Sequence, residues 1–411
     1  MTAPAPAPAI PGLTVEAALA RIVEGVAPLA GAETVGLIAA AGRILAEPLV
    51  ARLTQPPFTA SAMDGYAVRA ADVAKLPAML RVTGESAAGH GFAGALGPGD
   101  AVRIFTGAPV PDGADAIVIQ ENTRRDGDRV EITDGTLDPE FVRPMGGDFA
   151  AGATLLAAGR RLTARDVTLA AAMGYAALPV RRKPVVAILA TGDELVLPGE
   201  TPSADQIVCS NTFGIAAMVA AAGATPHLLG IARDARESLD AHVDQAAGAD
   251  ILVTVGGASV GDHDLVAPVL EARGMALDFW KIAMRPGKPL MFGRLGAQRI
   301  LGLPGNPVSS LVCTRLFLVP LVRALLGLAP EPERTLTART ATALSANGPR
   351  AHYMRATSRP GADGGLEVAP VRSQDSSLLT PLAEADCLIV RPIRAPALDA
   401  GAMVPVLMLD F

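Results

Sequence analysis

The sequence predicts a multidomain α/β protein built around a doubly wound, mostly parallel sheet. Three observations predict it. From residue 183 onward, strand-length apolar runs alternate with helix-length runs, the pattern of successive βα units. Ahead of them, a β-rich segment punctuated by Gly and Pro interrupts a helical one, and from residue 331 short strands return. At 411 residues the chain has room for several domains of roughly 100–200 residues each.

Taken in order, the opening TAPAPAPAIPG has neither a basic n-region nor an apolar h-region and reads as an extended Ala-Pro tail rather than a signal peptide. VEAALARIVEGV and VGLIAAAGRILAEPL carry helical periodicity, which resumes in TARDVTLAAAMGYAAL. Residues 10–52 and 150–182 therefore form one helical domain. Between them, 53–149 is a β-rich insert whose runs YAVRA, LRVTG, AVRIFTG, AIVIQE and RVEIT, separated by turn residues, predict a small antiparallel domain. Residues 183–330 form the α/β domain. Its strands are VVAILA, HLLGIA, ILVTV, LDFWKIAM, PLMFG and RILG, and its helices are TFGIAAMVAAAGA, ESLDAHVDQAA, LVAPVLEARG and a long one from 308. Residues 331–411, with RTLTARTAT, LEVAPV, CLIVRPI and MVPVLML, form a terminal β-barrel or sandwich.

Composition narrows the function. Half of the residues are hydrophobic but only 3% are aromatic, so the cores are built from Ala, Val, Leu and Ile. A net charge of −6 offers no chain-wide attraction to nucleic acid. The apolar stretch 307–327 is interrupted by Arg315, Pro320 and Arg323, as in a core helix and not a membrane span. Cys209, Cys313 and Cys387 are odd in number and form no C-x-x-C pair, which argues against a disulfide framework or structural zinc site and for a reducing compartment, with the cytoplasm as the default expectation. The five histidines show no metal-ligand spacing. Only four of the 35 basic residues are lysines, and two of these, Lys281 and Lys288, lie in WKIAMRPGKP. A solvated basic loop accounts for them, and so does a need for compact positive charge around an oxyanion.

Parallel sheets bind ligands at the carboxyl ends of their strands, near a topological switch point. Four loops occupy such positions: TGDELVLPGE, GGASVGDHD, RPGKP and LPGNPVSS. In GGASVGDHD, Gly256, Gly257 and Gly261 let backbone N–H groups converge on an anion, while Asp262 and Asp264 either cap the next helix or join a charged site. Asp193 and Glu194 either cap and charge a helix start or serve Mg²⁺, which takes one or two carboxylates plus phosphate oxygens and water. Asn306 and Pro307 suit the N-cap and first position of a helix, leaving Ser309 and Ser310 free to meet an anion. Lys281, Arg285 and Lys288 supply positive charge. Together these loops favour a metal-assisted phosphate site.

There is no G-x-x-x-x-G-K-[ST], and the literal G-x-G-x-x-G match at 89–94 opens no helix. No Ser-His-Asp set stands out. In the insert, Asp64-Gly65 is a good hairpin turn by itself, and Thr106-Gly107 and Gly147-Asp148 have equally local explanations.

The stretches AMDGYAV, RIFTGAPVPDGADAIVIQE, RPMGGD, TGDELV, GGASVGDHD, FWKIAMRPGKPLMFG, LGLPGNPVSS, YMR and SQDSSLL resemble, in order over about residues 58 to 390, the molybdopterin molybdenumtransferase (molybdenum insertase) family, related to the C-terminal domain of gephyrin. The resemblance implies an extended helical domain, a β-rich insert, a molybdopterin-binding-like α/β domain and a C-terminal β-barrel. It implies a homodimer whose site lies between the insert of one subunit and the α/β and C-terminal domains of the other. The implied reaction inserts molybdate into adenylylated molybdopterin with Mg²⁺-dependent cleavage of the adenylate, releasing AMP and molybdenum cofactor. Among site residues it implies Asp193, Glu194, Asp262 and Asp264 as an acidic, metal-binding wall, with Glu194 and Asp264 also in water activation. Asp64, Asp148, Asp234 and Lys281 match further catalytic positions. Thr106, Gly256, Gly257, Ser259, Arg285, Lys288, Pro304 and Pro307 match substrate-binding positions, and Arg355 and Ser376 match the oxyanion site. The implied partners are a molybdopterin adenylyltransferase and the molybdoenzymes that accept the product.

Two alternatives remain at the level of sequence. One is the preceding, ATP-dependent adenylyltransferase, which would leave the insert and the C-terminal domain without a use. The other is a non-catalytic molybdopterin-binding scaffold, which would leave the acidic and basic set without one.

Overall fold

The computed structural model describes residues 12–257, 265–329, 335–361, 364–409 and 411. Ala32–Val180 packs as one compact unit, and the described chain on either side of it packs as another.

In Ala32–Val180 a six-stranded sheet runs in the order Ala116–Ile119, Gly65–Val68, Asp100–Ile104, Ala78–Ser86, Arg129–Ile132, Thr123–Asp126. All five expected strands are there. The sheet is mixed rather than antiparallel, because the connection through 87–99 is no hairpin and returns the chain parallel to Ala78–Ser86. Alternate residues feed two cores: Tyr66, Val68, Val118 and Val130 on one side, Ala67, Val102, Ile104 and Ile117 on the other.

The helix expected over 35–49 is realised only as Leu37–Ala40. Beyond it the backbone is spent across the chain, Gly42 and Leu45 donating to Leu162 and Arg160, and Leu162 donating back to Arg43. Groups so paired are lost to a helix. Thr163 and Asp166 form a capping box at the start of Ala164–Ala172, but that helix stops before Gly174, at φ +93°, and the chain continues as the strand Ala177–Arg181.

In the other unit a six-stranded sheet runs in the order Thr225–Ala232, Val185–Thr191, Ile251–Val255, Gln298–Leu303, Met291–Leu295, Ala276–Trp280. The first four strands are parallel and Met291–Leu295 runs against its neighbours. Every residue of Ile251–Val255 is buried, as expected of a parallel strand covered on both faces. The chain leaves Val185–Thr191 for a strand on one side and returns on the other, so the switch point lies between the ends of Val185–Thr191 and Ile251–Val255.

LDFWKIAM is not one strand. It breaks at Lys281, which holds φ +101°, and Met284–Arg285 joins a second sheet. The long helix spans Pro307–Leu325 and, among the described residues, is the one helix long and apolar enough to cross a membrane, but 72% of its apolar window is buried inside the unit. Its centre widens to a π-turn at Thr314–Leu318, ahead of Pro320, which has no N–H to return to the preceding turn.

The C-terminal strands settle the choice between barrel and sandwich. Ala351–Pro360, Leu366–Pro370, Leu336–Thr340, Met403–Met408 and Cys387–Arg391 pair in sequence, and Cys387–Arg391 closes onto Ala351–Pro360. Ala338, Ala356, Val368, Ile389 and Val406 fill the interior. Met284–Arg285 extends this sheet by pairing with Ala351 and His352.

Candidate active site

The loop after Val185–Thr191 starts no helix. It turns into Leu195–Val196, which pairs with Ile207–Val208, and the next helix is Asn211–Ala221. Asp193 and Glu194 therefore cap nothing. The Asp193 carboxylate accepts the Asp234 backbone N–H at 3.2 Å, while Arg233 donates to the Asp193 carbonyl at 3.0 Å. Asp193 and Asp234 are thus brought together, and the Glu194 carboxylate remains exposed. It lines a cleft of about 390 Å³ with Thr191, Asn211, Gly256 and Pro307. A Cβ at Gly256, where φ is +94°, would lie 2.6 Å from the Thr191 carbonyl, so only glycine lets the two strand ends meet. Gly257 also holds a positive φ, +58°. The Thr191 hydroxyl is buried at the wall of this cleft and has no hydrogen-bond partner among the described residues. Ser259, Asp262 and Asp264 lie outside the described residues. Among the described residues no group of three His, Cys, Asp or Glu is placed to hold a metal.

A second cleft of about 530 Å³ is lined by Arg285, Lys288, Pro304, Asn306, Ser309 and Ser376, and Arg350, Gln374 and the carboxylate-bearing Asp375 also stand in its wall. Asn306 lines both clefts. It sits at the N-cap position with Pro307 following, yet its side chain caps nothing. Instead it donates to the Ser376 hydroxyl at 2.9 Å. Ser310 is used internally, donating to the Pro304 and Asn306 carbonyls, so Ser309 is the hydroxyl of this turn that faces the cleft.

Arg355 is 1% exposed and reaches the cleft only through the 374–378 loop. Its guanidinium donates to the Leu378 carbonyl at 3.0 Å and the Asp375 carbonyl at 2.8 Å, and Gln374 pairs with its backbone on both sides. Asp375 in turn accepts the Ser377 N–H and hydroxyl, which hold its carboxyl below the usual carboxylate range. His352, beside Arg285 in the strand ladder, has its pKa pushed down to about 4 by burial and then by Arg285, Arg350, Arg355 and Arg391. Lys281 is half-buried, its N–H bonded to the Leu290 carbonyl, and is not among the residues lining either cleft.

In the unit Ala32–Val180, Asp64 is no hairpin turn. Gly65 already belongs to the strand Gly65–Val68, where a Cβ would lie 2.0 Å from the Val118 carbonyl. Asp64 accepts both the backbone N–H of Thr106 at 2.8 Å and its hydroxyl at 2.9 Å. These bonds, the backbone one first, hold its carboxyl below the ordinary range. Two expected site residues therefore meet. Asp148 is exposed in the same unit, its N–H bonded to the Gln55 carbonyl.

Sequence reasoning overlooked Arg350, Gln374 and the Asn306–Ser376 link. Arg350 stands just ahead of the strand Ala351–Pro360 and carries no local signal, because the register of that strand with Met284–Arg285 is what places it.

The chain is similar to known proteins throughout. Residues 13–174 match the MoeA N-terminal region (domain I and II), 187–324 a probable molybdopterin binding domain, and 337–409 the MoeA C-terminal region (domain IV). A molybdopterin molybdenumtransferase of Nostoc sp. is 40% identical, over 92% of this chain and 88% of its own length. One from Haemophilus influenzae is 33% identical, over 96% and 98%. The crystal structure of a molybdopterin biosynthesis MoeA protein from Pyrococcus horikoshii superposes with a TM-score of 0.82 at 31% identity, over 97% of this chain and 99% of that one.

Proposed function

We propose that this chain, which belongs to the molybdopterin molybdenumtransferase family, is a transferase that inserts molybdenum from molybdate into molybdopterin, acting on the adenylylated form and releasing AMP. The observation that carries the proposal is the pair of clefts sharing Asn306: one cationic and rich in hydroxyls, the other holding Glu194 at the sheet's switch point. A tetrahedral dianion suits the first. Arg285 and Lys288 supply charge, Ser309 and Ser376 supply hydroxyl donors, and charge-assisted bonds of this kind are the strong ones.

In the 390 Å³ cleft, Glu194 is positioned to orient and deprotonate a water for attack on the phosphoanhydride. The P–O–P link breaks, AMP leaves, and the pterin keeps its phosphomonoester. Mg²⁺ fits the chemistry here: it needs only one or two carboxylates beside phosphate oxygens and water, and Glu194 in the cleft, with Asp193 beside it in the chain, would offer them. When bound, it would offset the negative charge developing on the phosphate oxygens. Asp64, Thr106 and Asp148 act on the same substrate from the partner subunit of a cytoplasmic homodimer. An adenylyltransferase supplies the substrate, and apo-molybdoenzymes take the product.

The test is AMP release from adenylylated molybdopterin with Mg²⁺, with and without molybdate. Molybdate-dependent release is expected. Tight binding of the adenylate with no release in either condition would sink the proposal and leave a scaffold.

A further inference from the structure

The strands Val185–Thr191 and Thr225–Ala232 run parallel and end level, with Thr191 opposite Ala232. Their register sends Gly192 and Arg233 out side by side, the Gly192 N–H bonded to the Ala232 carbonyl at 3.1 Å. Arg233 then reaches across. Its Nη1 donates to the Asp193 carbonyl at 3.0 Å and to the Leu195 carbonyl at 3.2 Å, one on either side of Glu194. The backbone of Arg233 is anchored in turn. Its N–H donates to the Ser238 hydroxyl at 3.0 Å, in the first turn of the helix Arg236–Gln245, and its carbonyl accepts from Ala235 at 2.7 Å. On the far side, the Ile207 N–H holds the Glu194 carbonyl at 2.8 Å.

The Glu194 side chain folds back over Gly192. A Cβ at Gly192, where φ is +145°, would collide with the Glu194 carboxylate. Where that carboxylate stands in the cleft therefore depends on the backbone path from 192 to 195, and this is the path that Arg233 fixes. A brace that only stabilised the loop would make the same bonds. The two roles differ in whether turnover depends on them.

We infer that Arg233 is a positioning residue for the AMP-releasing step: by clamping the carbonyls on either side of Glu194 it sets where that carboxylate meets the substrate, without touching the substrate itself. The inference rests on the role proposed for Glu194 above.

Steady-state AMP release from adenylylated molybdopterin, with Mg²⁺ and molybdate, by the full-length wild type, R233M and R233K tests it. Hydrogen exchange of the peptide spanning 190–197 is followed in the ligand-free proteins, and thermal melting checks folding. R233M should lose roughly ten- to a hundredfold in kcat, as expected when a reacting group is misplaced by about 1 Å, while KM stays near the wild-type value. Exchange over 190–197 should quicken. R233K should recover part of both, since an ammonium also offers several donors. Faster exchange with wild-type kcat would make Arg233 a brace only. A raised KM at unchanged kcat, or a loss of kcat with unchanged exchange, would make it a substrate contact. Each of these results overturns the inference and leaves the proposed function standing. A wild type that releases no AMP would overturn both.

Discussion

Arg355 is the residue at which a direct contact and a supporting role make opposite predictions. Its guanidinium is buried and spent on the Asp375 and Leu378 carbonyls, so Arg355→Met should damage the protein before any anion arrives. Each hydrogen bond from a charged donor contributes roughly 1.5–3 kcal/mol. Losing two costs about 3–6 kcal/mol, offset in part because the desolvation penalty of a buried cation disappears with it. A net loss of about 3 kcal/mol is a reasonable centre, and at about 1.4 kcal/mol per factor of ten it corresponds to roughly a hundredfold loss of protection for a locally opening loop. Hydrogen exchange of the peptide spanning 373–382, without ligand, measures it directly. The variant should exchange faster there and bind molybdate more weakly because Ser376 is no longer held. Wild-type exchange and melting temperature, combined with a tenfold loss of molybdate affinity, would refute the supporting role and make Arg355 a direct contact.

Gly287, at φ +105°, lies over the helix that follows Asn306: a Cβ would approach Cys313 Sγ to 2.6 Å and Met284 Cε to 3.2 Å. Gly287→Ala should cost about 1–3 kcal/mol and, by displacing Arg285 and Lys288, weaken oxyanion binding in a calorimetric titration with molybdate; unchanged affinity would mean that the loop tolerates the shift. The His352 imidazole is held at about 4 against an ordinary 6.5, so between those values the unfolded chain takes a proton that the folded one refuses. Stability is therefore full above about pH 6.5 and declines as pH falls toward 4, and His352→Gln should flatten that part of a melting-temperature profile. An identical slope in the variant would place the cause elsewhere. Mixing Asp64→Asn and Glu194→Gln proteins under exchange conditions should restore about a quarter of wild-type AMP release if each site draws on two subunits, since half of the dimers are mixed and one site in each is intact. No activity above the separate variants would confine each site to one chain.

What could be read from the chain alone was whatever depends on period and position. The apolar runs 185–190 and 251–255 are strands in the structure, and the loops after them meet at the switch point, because burial on both faces of a parallel strand leaves a plain mark in sequence. The helix expected over 35–49 failed for the converse reason: residues 42–45 satisfy their backbone with residues 160–162, and no local pattern announces a partner so far along the chain. The same distance hid Arg350. By spacing it is one more arginine at the start of a strand, and only the parallel register of Arg285 with His352, with Asn347 pinning the turn, turns it toward the cleft that Lys288 lines. Side chains whose chemistry is intrinsic, such as the Glu194 carboxylate at a strand end, can be proposed from residue type. Those whose role is assigned by register must be read from the fold.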